Sequence, residues 1–162
     1  MIYSLNYGDL LKRQAELQRL GNMPEPTRAL VKVAQFAEIG ELAQTLKPDW
    51  AWWTKPGDTR EVDREQMLGE AADVLHFALL DDIAADYREC LTFKIEAWEG
   101  YDLPKLIGLL EHQSRHSYRG YGVACALCGI IARYGFTPAD LARAYWEKTE
   151  VNLERWRKAD EA

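Results

Sequence analysis

Apolar residues recur at helical spacing along most of this chain. Between Tyr7 and Leu20 they fall at Leu10, Leu11, Leu17 and Leu20, and Gly21 supplies a stop. Pro24 and Pro26 punctuate a loop, after which Thr27 is placed to cap a second helix over about Arg28 to Leu46. A third periodic run covers about Val62 to Ala85, with Asp58 or Thr59 as its cap. Cys90 to Trp98 reads as a short helix closed by Gly100, and Leu103 to Gln113 as another. Tyr121 to Tyr134 is apolar on nearly every side, which predicts a buried helix ending at Gly135. Thr137-Pro138 then caps and opens a last helix running to about Ala159. No internal repeat, low-complexity tract or hairpin signal interrupts the pattern. The expectation is an all-α bundle of about six helices in one domain over residues 1–162.

Two helices carry acids where the periodicity expects apolar residues. Glu38-x-x-Glu41 lies among Ala34, Phe36, Ala37, Ile39 and Leu42, and Glu70-x-x-Asp73 among Ala71, Val74, Leu75 and Phe77. Residues three apart share a helix face, so each pair presents two carboxylates to one side. Alone, one such pair reads as the exposed edge of an amphipathic helix. Two pairs on neighbouring apolar helices repel one another unless something positive neutralises them, and converging carboxylate oxygens suit a hard divalent cation, Mg²⁺ above all.

Other patterns leave two readings open. Trp50, Trp52 and Trp53 crowd four positions before Lys55-Pro56-Gly57, either as a hydrophobic plug or dimer contact, or as an aromatic and basic wall beside the acids. Tyr145, Lys148, Asn152 and Arg155 fall within one helical stripe of roughly 80°, suited either to solvent or to a nucleotide, its cations meeting phosphates and its amide orienting the base. Gln14 and Gln18, one turn apart, read as a solvated face; His76, one turn beyond Asp73, as a packed or hydrogen-bonded core residue. Asp81, Asp82 and Asp86 read as solvated surface. His112 and His116 have a metal-compatible spacing but no third ligand nearby, and Cys125-x-x-Cys128 lacks a second pair, so packing accounts better for both.

Composition narrows the field. With 48% hydrophobic and 28% charged residues the chain resembles an ordinary globular protein. A net charge of −6 with no long basic run argues against nucleic acid as a partner. No apolar run reaches the length of a membrane span, no signal peptide is seen, and three cysteines fit a reducing cytoplasm.

Glu38-x-x-Glu41, a spacer, and Glu70-x-x-Asp73 together resemble the signature of the all-α NTP pyrophosphatase superfamily, which includes dimeric dUTPases, MazG-like enzymes and phage dCTPases. Four segments resemble the dimeric dUTPase branch in particular: Leu10-Leu11-Lys12-Arg13-Gln14-x-x-Leu17, Trp50 to Lys55, Asp73-Val74-Leu75-His76-Phe77, and Tyr145-x-x-Lys148-x-x-x-Asn152-x-x-Arg155. The resemblance implies that Glu38, Glu41, Glu70 and Asp73 hold two or three Mg²⁺ ions, with Mn²⁺ as a substitute, and that Glu41 is the base for a water attacking the α-phosphorus. It implies that Lys55, Lys148 and Arg155 meet the phosphates. Gln14, Trp53 and Asn152 would bound base and sugar, with Tyr145 stacking or hydrogen-bonding nearby and His76 contacting deoxyribose or supporting Asp73. A nucleoside triphosphate would be the substrate, and a homodimer is implied. Gln18 stands where that branch commonly has Asn or Asp, and Trp156 follows Arg155 where it often has Gln, so the departures touch the nucleobase side and not the acids. dUTP is therefore the expected substrate, dCTP or a modified nucleotide the alternative, and a non-catalytic helical interaction module the reading from a different class.

Overall fold

The computed structural model describes residues 6–86, 93–116 and 120–162. Among them are seven helices: α1 Tyr7–Leu20, α2 Arg28–Thr45, α3 Lys47–Trp50, α4 Arg64–Ala84, α5 Leu103–Arg115, α6 Gly120–Ala132 and α7 Pro138–Glu161. Side-chain capping sets most of the starts. Asn6 accepts from the Gly8 amide, Thr27 from Leu30 and Asp102 from Lys105. Thr137 and Asp140 form a reciprocal capping box ahead of Pro138, so the last helix begins where its sequence predicts. For α4 the cap is Asp63, whose carboxylate accepts from the Gln66 amide 3.0 Å away. The expected caps Asp58 and Thr59 are too early; Asp58 instead holds Arg60.

Helix α4 organises the bundle by packing against α1, α2, α6 and α7. Its inner face, from Met67 through Leu68, Ala71, Ala72, Val74, Leu75, Ala78 and Leu79, is buried almost completely. Helix α6 is apolar on all sides, with every residue from Gly122 to Ile131 buried, and it fills the centre of one contiguous core. The α2–α4 pair runs antiparallel: Lys32 near the start of α2 pairs with Asp81 near the end of α4 at 2.9 Å, while Glu41 late in α2 approaches Glu70 early in α4.

Two further expectations fail. Phe93 to Trp98 is not helical; Asn6 bridges Lys94 and the Tyr7 amide donates to the Phe93 carbonyl at 3.0 Å. Cys90 to Thr92, the rest of that predicted helix, lie outside the described residues. The apolar positions 93, 95 and 97 alternate with lysine and glutamate, a period of two rather than 3.6, and the segment runs extended against the start of α1. Asp81 and Asp82, expected in solvent, are 3% and 0% exposed. Asp81 is compensated by Lys32 and by Arg28 at 3.6 Å, both one helix away. Asp82 accepts a 2.7 Å hydrogen bond from the Tyr7 hydroxyl, and a Cβ at Gly120 would overlap both groups, which is why glycine stands there. Burial first, and then the neighbouring Asp81, pushes the Asp82 carboxyl up to about 6. Asp86 is exposed as expected and ends α4 in a left-handed conformation, φ +53°.

Tyr7→Phe should cost about 1–3 kcal/mol, because it removes a donor from a carboxylate that is otherwise buried. The Asp82 carboxyl sits at about 6, so at lower pH it is protonated and the deficit should be small; it should grow as pH rises past that value. Urea unfolding of both proteins at about pH 5 and pH 8 checks this; an equal deficit at both pH values would contradict it.

Candidate metal and nucleotide site

Antiparallel packing of α2 on α4 turns two local pairs of acids into one cluster. Glu38, Glu41 and Glu70 each offer a carboxylate oxygen within 4.8 Å of the others. Glu41 is exposed, whereas Glu38 and Glu70 are half-buried. Burial is the largest influence on Glu38, followed by the charges of Asp73, Glu41 and Glu70, and together they push its carboxyl up to about 7. Glu70 is raised for the same reasons: burial first, then Asp73 and Glu41. Groups so perturbed are carrying uncompensated negative charge, and a divalent cation with oxygen ligands is the chemistry that relieves it. The donor set is all carboxylate, with no sulfur or imidazole in the triplet, which fits Mg²⁺ or Mn²⁺ rather than a soft metal.

Asp73 stands outside that triplet. Its carboxylate is held at 2.6 Å by Lys148, which crosses from α7 with its stem lying 3.8 Å from where a Cβ of Gly69 would sit. His76, one turn on, is held down to about 4, first by burial, with the Lys148 charge adding to the effect against the pull of Asp73. At neutral pH its imidazole is therefore uncharged, able to donate through one ring nitrogen and accept through the other. His76 also meets Phe77 edge to face.

Beside Glu41 and Glu70 opens a cavity of about 870 Å³, whose lining also includes Lys47, Thr54, Asp58, Arg60 and Gln66. Lys47 also stands over Trp53, 5.8 Å from its ring centre, and Trp53 packs edge to face on Trp50 and Trp52. Trp52 is 88% exposed and Trp53 53%, so this aromatic group is not a plug in the core. Trp50 alone tucks inward, donating from its indole to the Ala43 carbonyl at 2.7 Å. Lys55 is exposed in the same loop. Sequence reasoning overlooked Lys47 and Arg60 as cations of this cavity. Their signal was modest: basic residues a few positions either side of the tryptophan cluster.

The α7 stripe divides. Tyr145 is fully buried against α1, where its hydroxyl donates to the Gln14 Oε1 at 2.9 Å; burial raises its phenol, so it remains a donor. Gln14 is fully buried as well, not on a solvated face, and its Nε2 has no hydrogen-bond partner. Lys148 reaches the acids of α4, Asn152 is half-buried, and Arg155 is exposed about 10 Å further along the helix axis, two turns on. Neither Gln14 nor Tyr145 lines the cavity at the acids. The seam between α1 and α7 is closed further by Arg13, which is 8% exposed, donates to Thr149 at 3.1 Å, contacts Glu150 and stacks on Trp146. Trp156 packs against Gly21, where a Cβ would collide with its ring.

His112 and His116 are exposed, their rings 5.0 Å apart, and do not join the acidic group. Cys125 and Cys128 are buried thiols, the latter raised first by burial. Among the described residues no helix is long and apolar enough to cross a membrane.

Comparison with curated proteins and with solved structures yields no match. A family model described as dUTPase matches residues 6–159, a span that takes in all the acids, the tryptophan segment and the α7 stripe. The chain belongs to the dUTPase family.

Proposed function

We propose that this chain is a Mg²⁺-dependent pyrophosphohydrolase converting dUTP to dUMP and pyrophosphate, built as one domain over residues 1–162. The observation that carries the proposal is the carboxylate triplet of Glu38, Glu41 and Glu70, its members within 4.8 Å of one another in a chain of the dUTPase family. Glu38, Glu41, Glu70 and Asp73 would hold the ions. Bound Mg²⁺ supplies charge neutralisation on the phosphates and a lowered pKa for the attacking water.

Within that frame each residue has a task. Glu41, the exposed member of the triplet, takes the proton of the attacking water. The water oxygen bonds to the α-phosphorus as the bond to the bridging oxygen of the leaving pyrophosphate breaks, and the charge leaves with pyrophosphate. Lys55, Lys148 and Arg155 meet the phosphates, joined by Lys47 and Arg60 at the cavity wall. Neutral His76 offers the deoxyribose a donor or acceptor without adding charge. Trp53 and Asn152 bound the nucleoside. Gln14 and Tyr145 serve the base when the α1–α7 seam admits it. The Gln14 Nε2 has no partner in the seam, and a donor there would pair with the O4 carbonyl of uracil. The protein acts as a homodimer in the cytoplasm. Leu30, Val33 and Phe36, exposed on α2 at 63%, 67% and 77%, are the apolar face that supports a dimer contact.

Pyrophosphate release measured over dUTP, dCTP, dTTP, dATP, dGTP and UTP, with Mg²⁺ and with EDTA, should be strongest with dUTP and lost in EDTA. Glu70→Gln should lower turnover by about 10²–10³-fold, as loss of a preorganised charge does. Full activity in that variant would refute the metal assignment and favour an interaction module.

The Glu38 carboxyl, lifted from 4.5 to about 7, fixes a pH dependence. Below that value it is protonated and cannot serve as an anionic ligand, so Mg²⁺ affinity in calorimetry should rise with pH through about 7 and then level. Between 4.5 and about 7 the folded metal-free protein holds more protons than the unfolded one, so its stability should fall as pH rises there, and less steeply in Glu38→Gln. Parallel melting curves for the two proteins would contradict this.

Phe36→Glu should shift the sedimenting species from dimer to monomer with the helical circular dichroism unchanged; an unaltered sedimentation coefficient would move the interface elsewhere.

A further inference from the structure

Of the four acids at this site, one is treated differently from the rest. Glu38, Glu41 and Glu70 converge, whereas Asp73, three residues after Glu70 and on the same face of α4, is held at 2.6 Å by Lys148 from α7. Asp73 nonetheless heads the charges acting on Glu38, so its carboxylate stays close to the cluster while it is paired with Lys148, whose charge also acts on Glu38 and Glu70. His76 does not neutralise it, being uncharged at neutral pH. The pair is accessible: the Lys148 side chain is 42% exposed and that of Asp73 26%, so the ammonium can leave without unpacking a core. Its stem passes 3.8 Å from where a Cβ of Gly69 would sit, so no side chain at position 69 stands beneath it.

We propose that Lys148 is an exchangeable internal counter-ion: in the metal-free protein it occupies Asp73, and a divalent cation entering the acidic cluster displaces it, delivering its ammonium toward the phosphates. This rests on the metal reading of the acidic cluster and adds a second role to Lys148. The physical logic is competition. A carboxylate that gives its oxygen to an ammonium at contact distance cannot give the same oxygen to a metal, and the apparent metal affinity is reduced by the fraction of molecules in which Asp73 is released. The same exchange couples the two halves of substrate binding, because the cation that binds the metal's ligand before loading is free for phosphate only after it.

The test is Mn²⁺ binding in the absence of nucleotide, followed by the electron paramagnetic resonance signal of free Mn²⁺, in the wild type, Lys148→Met, Asp73→Asn and the double variant. Competition predicts that Lys148→Met binds Mn²⁺ more tightly than the wild type, by about tenfold if the paired state dominates ten to one. It also predicts that the same substitution has little effect once Asp73→Asn has removed the contested negative charge. Equal affinity of Lys148→Met and wild type overturns the proposal. So does equal tightening in both backgrounds, which is what a positive charge acting through space alone would give. Failure of all four proteins to bind Mn²⁺ refutes the metal reading itself, a pattern distinct from either. In wild-type protein labelled with ¹⁵N-lysine, Mg²⁺ alone should shift the Lys148 Nζ resonance; a resonance unmoved at saturating Mg²⁺ overturns the exchange without any variant.

Discussion

Antiparallel apposition of α2 and α4 is the contact on which the rest of this molecule depends. Each helix contributes a pair of acids three residues apart, and neither pair alone is more than a charged edge. Brought face to face, Glu38, Glu41 and Glu70 come within 4.8 Å of one another, and burial together with the charges of Asp73 and of the other acids raises the carboxyls of Glu38 and Glu70. Like charges so close oppose the packing that gathers them. The apposition survives because it is anchored away from the acids, at the opposite end of the pair, where Arg28 and Lys32 of α2 close on buried Asp81 of α4. Repulsion at one end of a helix pair is offset by attraction at the other.

A further offset comes from the core. Helix α6 and the inner face of α4 bury leucines, isoleucines and valines almost entirely, each stabilising the fold by about 1.5–3 kcal/mol. A site that concentrates anions, a neutral half-buried histidine and a half-buried ion pair is a local departure from the most stable sequence, and such departures gather where function requires them. The bundle tolerates this because the acidic cluster lies at the rim of the α2–α4 contact, away from the apolar centre around α6.

Much of the fold was legible because helix signals are local. Thr27, Thr137 and Pro138 announce their helices by side-chain geometry that needs no tertiary partner. The acids were legible for the same reason, as i,i+3 pairs breaking an apolar pattern. What escaped was set by distant partners. Asp81 and Asp82 look like solvent-facing charges in their own helix; they are buried because Tyr7 lies 75 residues upstream and because Arg28 and Lys32 belong to α2. Phe93 to Trp98 has the apolar content of a helix, but its alternation has the period of two of an extended segment. Gln14 reads as a polar position on an exposed face, yet Tyr145, 131 residues away, draws it into the core.

The α7 stripe carries this lesson furthest. Spacing alone gave Tyr145, Lys148, Asn152 and Arg155 one direction, and in the bundle that direction spans the junction of two neighbours. Tyr145 turns to α1 and donates to the oxygen of a buried amide; Lys148, less than one turn later, turns to α4 and pairs with a carboxylate. A helix lying across two others thus holds both: Lys148 grips the carboxylate of α4, while the Tyr145–Gln14 contact and the Arg13–Thr149 bonds fasten the same helix to α1. The acids and the Gln14 amide sit in separate seams, but α7 is fastened to both, through Lys148 on one side and Tyr145 on the other.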